Sequence, residues 1–208
     1  GGLYGGASWR DLFAEGVSTA LRFLCLQGSV MAVTVVASRM GEGPLAANHV
    51  VTLGWMATCP VVDGVSLVCG GWASDALCRR RFASVKGCFA ALSLWGFLLG
   101  GLACALLFVL RDGATRALLG GVADDAAVSA PLGHVWTLVC GMQVANAVCF
   151  TYDGMLLASA QYSFVRNYLL IGACVVFAPA LYMACADGGG GLFGLWGAVA
   201  AFTLWRVA

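Results

Sequence analysis

Six long apolar stretches constrain the fold of this chain more than any other feature. They cover about residues 12–38, 47–72, 85–110, 131–158, 164–186 and 192–208. A helix needs roughly 20 mostly apolar residues to cross the hydrocarbon core of a bilayer, where backbone polar groups must pair with one another. Each stretch therefore predicts one spanning helix. Together they predict an all-α, polytopic transmembrane helical bundle that forms a single domain, residues 1–208.

The composition excludes an ordinary soluble domain. Apolar residues make up 61% of the chain and charged residues only 10%, whereas soluble domains carry about a quarter charged residues. The 11 basic and 10 acidic side chains give a net charge of only +1, so the chain lacks the strong positive charge typical of nucleic-acid binding. The partners expected are the lipid bilayer and a small organic solute.

Because the sequence opens at Gly1 and stops within the sixth apolar stretch, we expect a fragment whose last helix is truncated.

Basic residues fall unequally on the two sides of the predicted membrane. Loops rich in Lys and Arg stay on the cytoplasmic side or its organellar equivalent, so both chain ends are predicted to lie inside. Arg22, near the inner end of the first helix, could snorkel to the headgroups and is left out of the count. The segment 111–125 is expected to be a loop or an interfacial helix outside the membrane core. The inner side carries Arg10, Arg79, Arg80, Arg81, Lys86, Arg166 and Arg206, and the outer side carries Arg39, Arg111 and Arg116.

Two aspartates lie within predicted spans, where an ionised side chain is costly unless it faces the protein interior or a wet cavity. Asp63 falls near the middle of the second stretch and Asp153 in the inner half of the fourth, and a glycine follows each of them. A low-dielectric site favours the protonated carboxyl, so such a group can take up and release a proton. Both are predicted coupling sites. The alternative is that each bonds a neighbouring helix or lines a helix end.

Polar side chains near Asp153 form a second pattern. Gln143 and Asn146 are three residues apart and Asn146 is seven before Asp153, so the three share roughly one helix face. With Gln27 in the first span and Tyr152 beside Asp153, they are the predicted lining of a solute path. Amide side chains also join helices by hydrogen bonds, and the sequence leaves both interpretations open.

Other residue types give weaker signals. The 10 cysteines lie mostly within apolar spans without a CxxC pair, and we interpret them as packing residues rather than metal ligands. Gly96 and Gly100 have the GxxxG spacing that permits close helix approach, but 29 glycines make such spacings common by chance. The chain has no GxSxG, no HExxH and no plausible catalytic triad. No catalytic residue, metal or resident cofactor is predicted, and we do not expect an enzyme.

Three blocks of sequence carry a family resemblance. They are LCLQ at 24–27 with VASRMGEGPLAANHV at 36–50, FTYDGMLLASA at 150–160, and GLWGA at 194–198. The blocks resemble the seventh-to-eighth helix turn, the tenth helix and the opening of the twelfth helix in multidrug and toxic compound extrusion (MATE) transporters, especially of the plant and algal branch. Nearly the whole chain is covered in order, so it resembles the C-terminal half of such a transporter.

The resemblance implies one six-helix lobe of a two-lobed carrier, with an N-terminal six-helix lobe missing from this fragment. It implies a cation-coupling role for Asp153. Gln27 matches a position that is often glutamate in other branches, and because an amide cannot hold a titrating proton, Asp63 becomes the candidate replacement. The stretch after Asp63 also departs from the family pattern.

The predicted function is therefore an antiporter that exports an organic solute, as in multidrug or xenobiotic efflux, against entry of a cation. The proton is the favoured coupling ion and sodium the alternative. A non-transporting membrane scaffold or regulatory protein is a second possibility, and a lipid flippase or passive channel is a third. The sequence distinguishes neither the solute nor the membrane, which is the plasma membrane, the vacuolar membrane or the plastid envelope.

Overall fold

A computed structural model describes residues 9–186 and 190–207, and almost all of these residues are helical. A five-residue π-helical turn, Ala173–Phe177, joins the helical segments Tyr162–Gly172 and Ala178–Ala186, and a 3-10 turn, Gly120–Asp124, follows the helix that ends at Leu119. Residues 1–8, 187–189 and 208, which the predicted domain includes, lie outside the described residues. The helices are α1 (Trp9–Arg39), α2 (Glu42–Cys78), α3 (Phe82–Leu119), α4 (Ala126–Ala158), α5 (Tyr162–Gly172), α6 (Ala178–Ala186) and α7 (Gly191–Val207).

Five helical segments of the described chain are long and apolar enough to cross a membrane: α1, α2, α3, α4 and the continuous α5–α6 rod. The sixth apolar stretch forms α7, a shorter helix of 17 residues. The prediction of an all-α fold with several membrane-compatible helices is confirmed, and the five long segments indicate an integral membrane protein.

The helices extend beyond the apolar stretches that predicted them. α2 and α3 contain 37 and 38 residues, which is about 55 Å at a rise of 1.5 Å per residue and exceeds the roughly 30 Å hydrocarbon core. The expectation of a loop or separate interfacial helix from residue 111 was wrong for residues 111–119, because α3 continues through them to Leu119. Hydropathy marks where lipid contact ends, whereas arginine and alanine continue a helix readily in water.

α4 lies at the centre of the bundle. Within its apolar segment 56% is buried against other helices, compared with 17–28% in the corresponding segments of the other four spans. Contacts at Thr58–Gln143 and Ser66–Phe150 show that α2 runs parallel to α4. We call the end of the bundle that holds the α2–α3 turn the inner end, following the predicted orientation, and α4 also ends there.

The GxxxG spacing, which the sequence alone did not separate from chance, lies at the interface of α3 with α4. A Cβ atom on Gly100 would lie 2.7 Å from Val144 Cα, and one on Gly96 would lie 2.7 Å from Thr151 Oγ1. Real Cβ atoms do not approach other atoms so closely, so glycine at both positions is what allows α3 to pack directly on the α4 backbone.

Candidate functional site

Asp153 is the centre of a buried group of charges that we name the ion cluster: Arg22, Asp153 and Arg206. The Nη2 atoms of Arg22 and Arg206 donate to the same oxygen, Asp153 Oδ2, at 2.9 and 2.8 Å. The three side chains are 11%, 12% and 5% exposed. Because α1, α4 and α7 each supply one member, a single carboxylate oxygen connects three helices.

Close packing of α2 on α4 sets the position of Asp153. Ser66 Oγ donates to the Phe150 carbonyl at 2.7 Å, and a Cβ atom on Gly154 would collide with Ser66. The guanidinium of Arg206 lies 5.5 Å from the centroid of the Phe150 ring, a distance at which a cation is attracted to an aromatic face. The small residue after Asp153 thus lets α2 approach, and Phe150 helps hold Arg206 against the carboxylate.

The ion cluster alone carries an unbalanced charge. Two guanidinium groups and one carboxylate leave one positive charge, and the Nε atoms of Arg22 and Arg206 are buried with no hydrogen-bond partner in the described part of the chain. A buried, uncompensated charge costs several kcal/mol. A second negative charge nearby would therefore stabilise the cluster.

Asp63 supplies that charge from α2. It shares a cavity of about 190 Å³ with Arg22 and Arg206 and interacts electrostatically with both and with Asp153. Within residues 9–186 and 190–207 it makes no hydrogen bond or ion pair, and its side chain is exposed. The two predicted coupling residues thus lie at one site but differ in their contacts. The carboxylate of Asp153 pairs with two arginines, whereas that of Asp63 faces the cavity without a hydrogen-bond partner among the described residues.

Two further cavities border the same charges. One of about 460 Å³ lies between α1, α2 and α4, and its lining includes Arg22, Asp63 and Tyr162. The other, of about 310 Å³, lies between α4, α5 and α7 and is bordered by Asp153 and Arg206. Small-molecule sites in proteins range from about 300 to 1,000 Å³. Both cavities are therefore large enough to hold a small organic solute beside the ion cluster.

The predicted lining residues fall into two groups. Gln27 lies in the 190 Å³ cavity with Asp63, and Tyr152 lines the 310 Å³ cavity. Gln143 and Asn146 are each only 1% exposed, and Gln143 accepts a hydrogen bond from Thr58 Oγ1 at 2.8 Å. These two amides lie inside the contact between α2 and α4, as the interhelical alternative predicts, and do not line the three cavities around the ion cluster.

Sequence reasoning missed two members of the cluster. Arg22 was left out of the charge count as a residue that could snorkel to the headgroups, but its guanidinium is buried against Asp153 instead. Arg206 was counted with the inner-side loops, although its side chain lies within the bundle; the inner side still has six basic residues against three without it. A usable signal existed, because a basic residue within an apolar span requires a partner.

The described residues contain no group of three or more His, Cys, Asp or Glu side chains that could hold a metal ion. The nine cysteines whose side chains the structure describes are free thiols. Comparisons with family models, curated proteins and solved structures give no match to this chain.

Proposed function

We propose that the chain is one lobe of a MATE-type carrier that exports an organic solute in exchange for protons. The observation that carries the proposal is the ion cluster with Asp63. Ionisable side chains are costly inside membrane helices and mark ion or solute pathways. Here Arg22, Asp63 and Arg206 line one cavity, and the first and last of these pair with Asp153.

In this mechanism the carboxylate of Asp153 selects between two helix arrangements. As an anion it accepts from Arg22 and Arg206 and so holds α1 and α7 against α4. A proton that enters from the outer side and binds Asp153 removes that charge, so both guanidinium groups lose their partner together. α1 and α7 then repack and the solute is released, because the two arrangements differ in affinity for proton and solute. Loss of the proton to the inner side restores the first arrangement.

Asp63 offers the released guanidinium groups a second partner. It borders the same 190 Å³ cavity as Arg22 and Arg206 and holds no ion pair of its own among the described residues. A shift of Arg22 from Asp153 to Asp63 keeps one of the two guanidinium groups paired, which avoids part of the several kcal/mol that unpaired buried charges cost. Gln27 in that cavity can bond a solute but cannot titrate.

The test is transport in liposomes that contain the full-length protein, with a pH-sensitive dye inside. Ethidium serves as the cationic probe and fluorescein as the anionic probe. When a proton gradient is imposed, the wild type should move at least one probe across the membrane in the direction opposite to the proton flow. The dye should report protons that cross in exchange. Asp153→Asn, which fixes a neutral side chain, should abolish the dependence on the gradient. Asp75→Asn is the matched control, because Asp75, near the end of α2, forms an exposed pair with Arg79 away from the cluster.

A second variant separates lost coupling from failure to fold. Asp153→Asn combined with Arg22→Gln restores the balance of charges around the cavity, and it should insert normally while remaining uncoupled. Wild-type coupling in either variant would exclude the proposed role of Asp153. Downhill movement that ignores the gradient in the wild type would favour a passive channel or flippase, and complete absence of movement would favour a scaffold.

A further inference from the structure

A strongly basic patch lies at the turn between α2 and α3, which we name the α2–α3 basic patch: Arg79, Arg80, Arg81 and Lys86. All four residues are exposed. Asp75 is the one acidic residue in the sequence 75–86 and pairs with Arg79. The turn therefore has a surplus of three positive charges.

The surplus is confined to the inner end of these two helices. The other end of α3 and the turn that follows it, residues 111–125, which we name the outer segment, contain two basic and three acidic residues. Arg111 there lies beside Asp112, at 4.0 Å. The outer segment is therefore close to neutral, and it provides a comparison within the same helix.

The basic patch begins where the exposed apolar surface of α2 ends. Leu67, Val68 and Trp72 are 78%, 74% and 55% exposed, as expected for side chains that face lipid. Trp72 precedes Arg79 by about 10 Å along the helix axis, and tryptophan is enriched at the boundary between hydrocarbon and headgroups. Since the headgroup layer is only about 5–8 Å thick on each side, the arginine backbone lies just beyond it, and the long arginine side chains can reach back to the lipid phosphates.

The backbone places an arginine where glycine is favoured. Arg80 has φ of 56°, and the Arg80 and Arg81 N–H groups donate to the carbonyls of Leu77 and Ala76 at 3.0 and 2.9 Å. This is the Schellman motif that ends a helix, and its left-handed residue is usually glycine. A side chain with a Cβ is disfavoured in that conformation, so the charge at position 80 is present at a cost in backbone stability.

We propose that the α2–α3 basic patch binds the headgroup phosphates of acidic phospholipids in the inner leaflet. Guanidinium groups match phosphate with paired hydrogen bonds, and clusters of four or more basic residues next to a membrane helix attract anionic lipids. The depth of the patch favours a lipid phosphate over a soluble one. This site is separate from the ion cluster and does not depend on the transport proposal.

The test is native mass spectrometry of the full chain titrated with phosphatidylglycerol or with phosphatidylcholine. The wild type should bind phosphatidylglycerol more tightly. Arg80→Gly should weaken that binding about fivefold and the triple change R79Q/R80Q/R81Q on the order of a hundredfold, from the contribution of each basic residue near an anionic surface. Arg80→Gly should also raise the melting temperature, because glycine suits the left-handed position. Weaker binding in a more stable protein cannot come from misfolding.

Two controls match these variants. Ala160 at the end of α4 has the same φ of 56° without a charge, so Ala160→Gly should stabilise the turn and leave lipid affinity unchanged. The double variant Arg111→Gln with Arg116→Gln removes two positive charges from the outer segment and should also leave lipid affinity unchanged. Equal affinity for the two lipids, or an unchanged preference in the triple variant, would overturn the proposal. Tighter binding of soluble inositol hexakisphosphate than of phosphatidylglycerol would overturn the choice of a lipid.

Discussion

At the residue scale, the two arginines of the ion cluster depend on one oxygen atom of Asp153. Asp153→Asn should lower the free energy of unfolding by about 3–5 kcal/mol, because it leaves two buried guanidinium groups facing a neutral amide. Arg22→Gln should cost less, since Asp153 keeps Arg206 at 2.8 Å. Unfolding in mixed micelles with increasing sodium dodecyl sulfate measures both values.

An exposed pair gives the baseline for that comparison. Arg79→Gln breaks the contact of Arg79 with Asp75, whose side chains are 59% and 58% exposed, and should change the free energy of unfolding by less than about 1 kcal/mol. A cost for Asp153→Asn as small as this would mean that the ion cluster contributes little to holding α1 and α7 on α4.

At the element scale, the separation of α3 from α4 is set by glycine. Gly100→Ala should destabilise the protein by about 1–3 kcal/mol, because the helices must move apart to admit a methyl group. A Cβ atom on Gly100 would lie 2.9 Å from the Gln143 carbonyl oxygen as well as against Val144. The melting temperature in detergent measures the change.

The neighbouring residue is a matched control for this substitution. A Cβ atom on Gly101 would meet nothing within 4 Å, so Gly101→Ala should be neutral or stabilise the helix by up to about 1 kcal/mol. Equal destabilisation by the two alanines would show that helix flexibility, rather than close packing, explains the glycine at position 100.

The same helices show how far sequence predicts elements. The turn of Met40 and Gly41 between α1 and α2 was predicted closely, because charges and glycine interrupt two apolar stretches there. The end of α3 was not, because residues 111–119 are polar enough to leave lipid yet still favour a helix. The importance of Gly96 and Gly100 depends on which helix lies opposite, and spacing within one helix does not contain that information.

At the scale of the whole molecule, the pairing of charges was beyond sequence analysis. Composition and apolar length establish the membrane class, and the cost of intramembrane charge identifies Asp63 and Asp153 as unusual. One of the two partners of Asp153, however, is Arg22, which is 131 positions away in the chain. Only the parallel packing of α7 and α2 on α4, with α1 beside them, brings these side chains together.

The orientation of the whole bundle gives the final prediction. Cys78 ends α2 at the inner end, Cys185 lies near the end of α6 at the outer end, and both are exposed. A membrane-impermeant maleimide added to sealed right-side-out vesicles should modify Cys185 and spare Cys78, and inside-out vesicles should give the reverse. Peptide mass spectrometry identifies the modified residue, and detergent-opened vesicles, in which both react, are the control. Labelling of Cys78 from outside would invert the predicted orientation and would place the α2–α3 basic patch against the leaflet opposite to the proposed one.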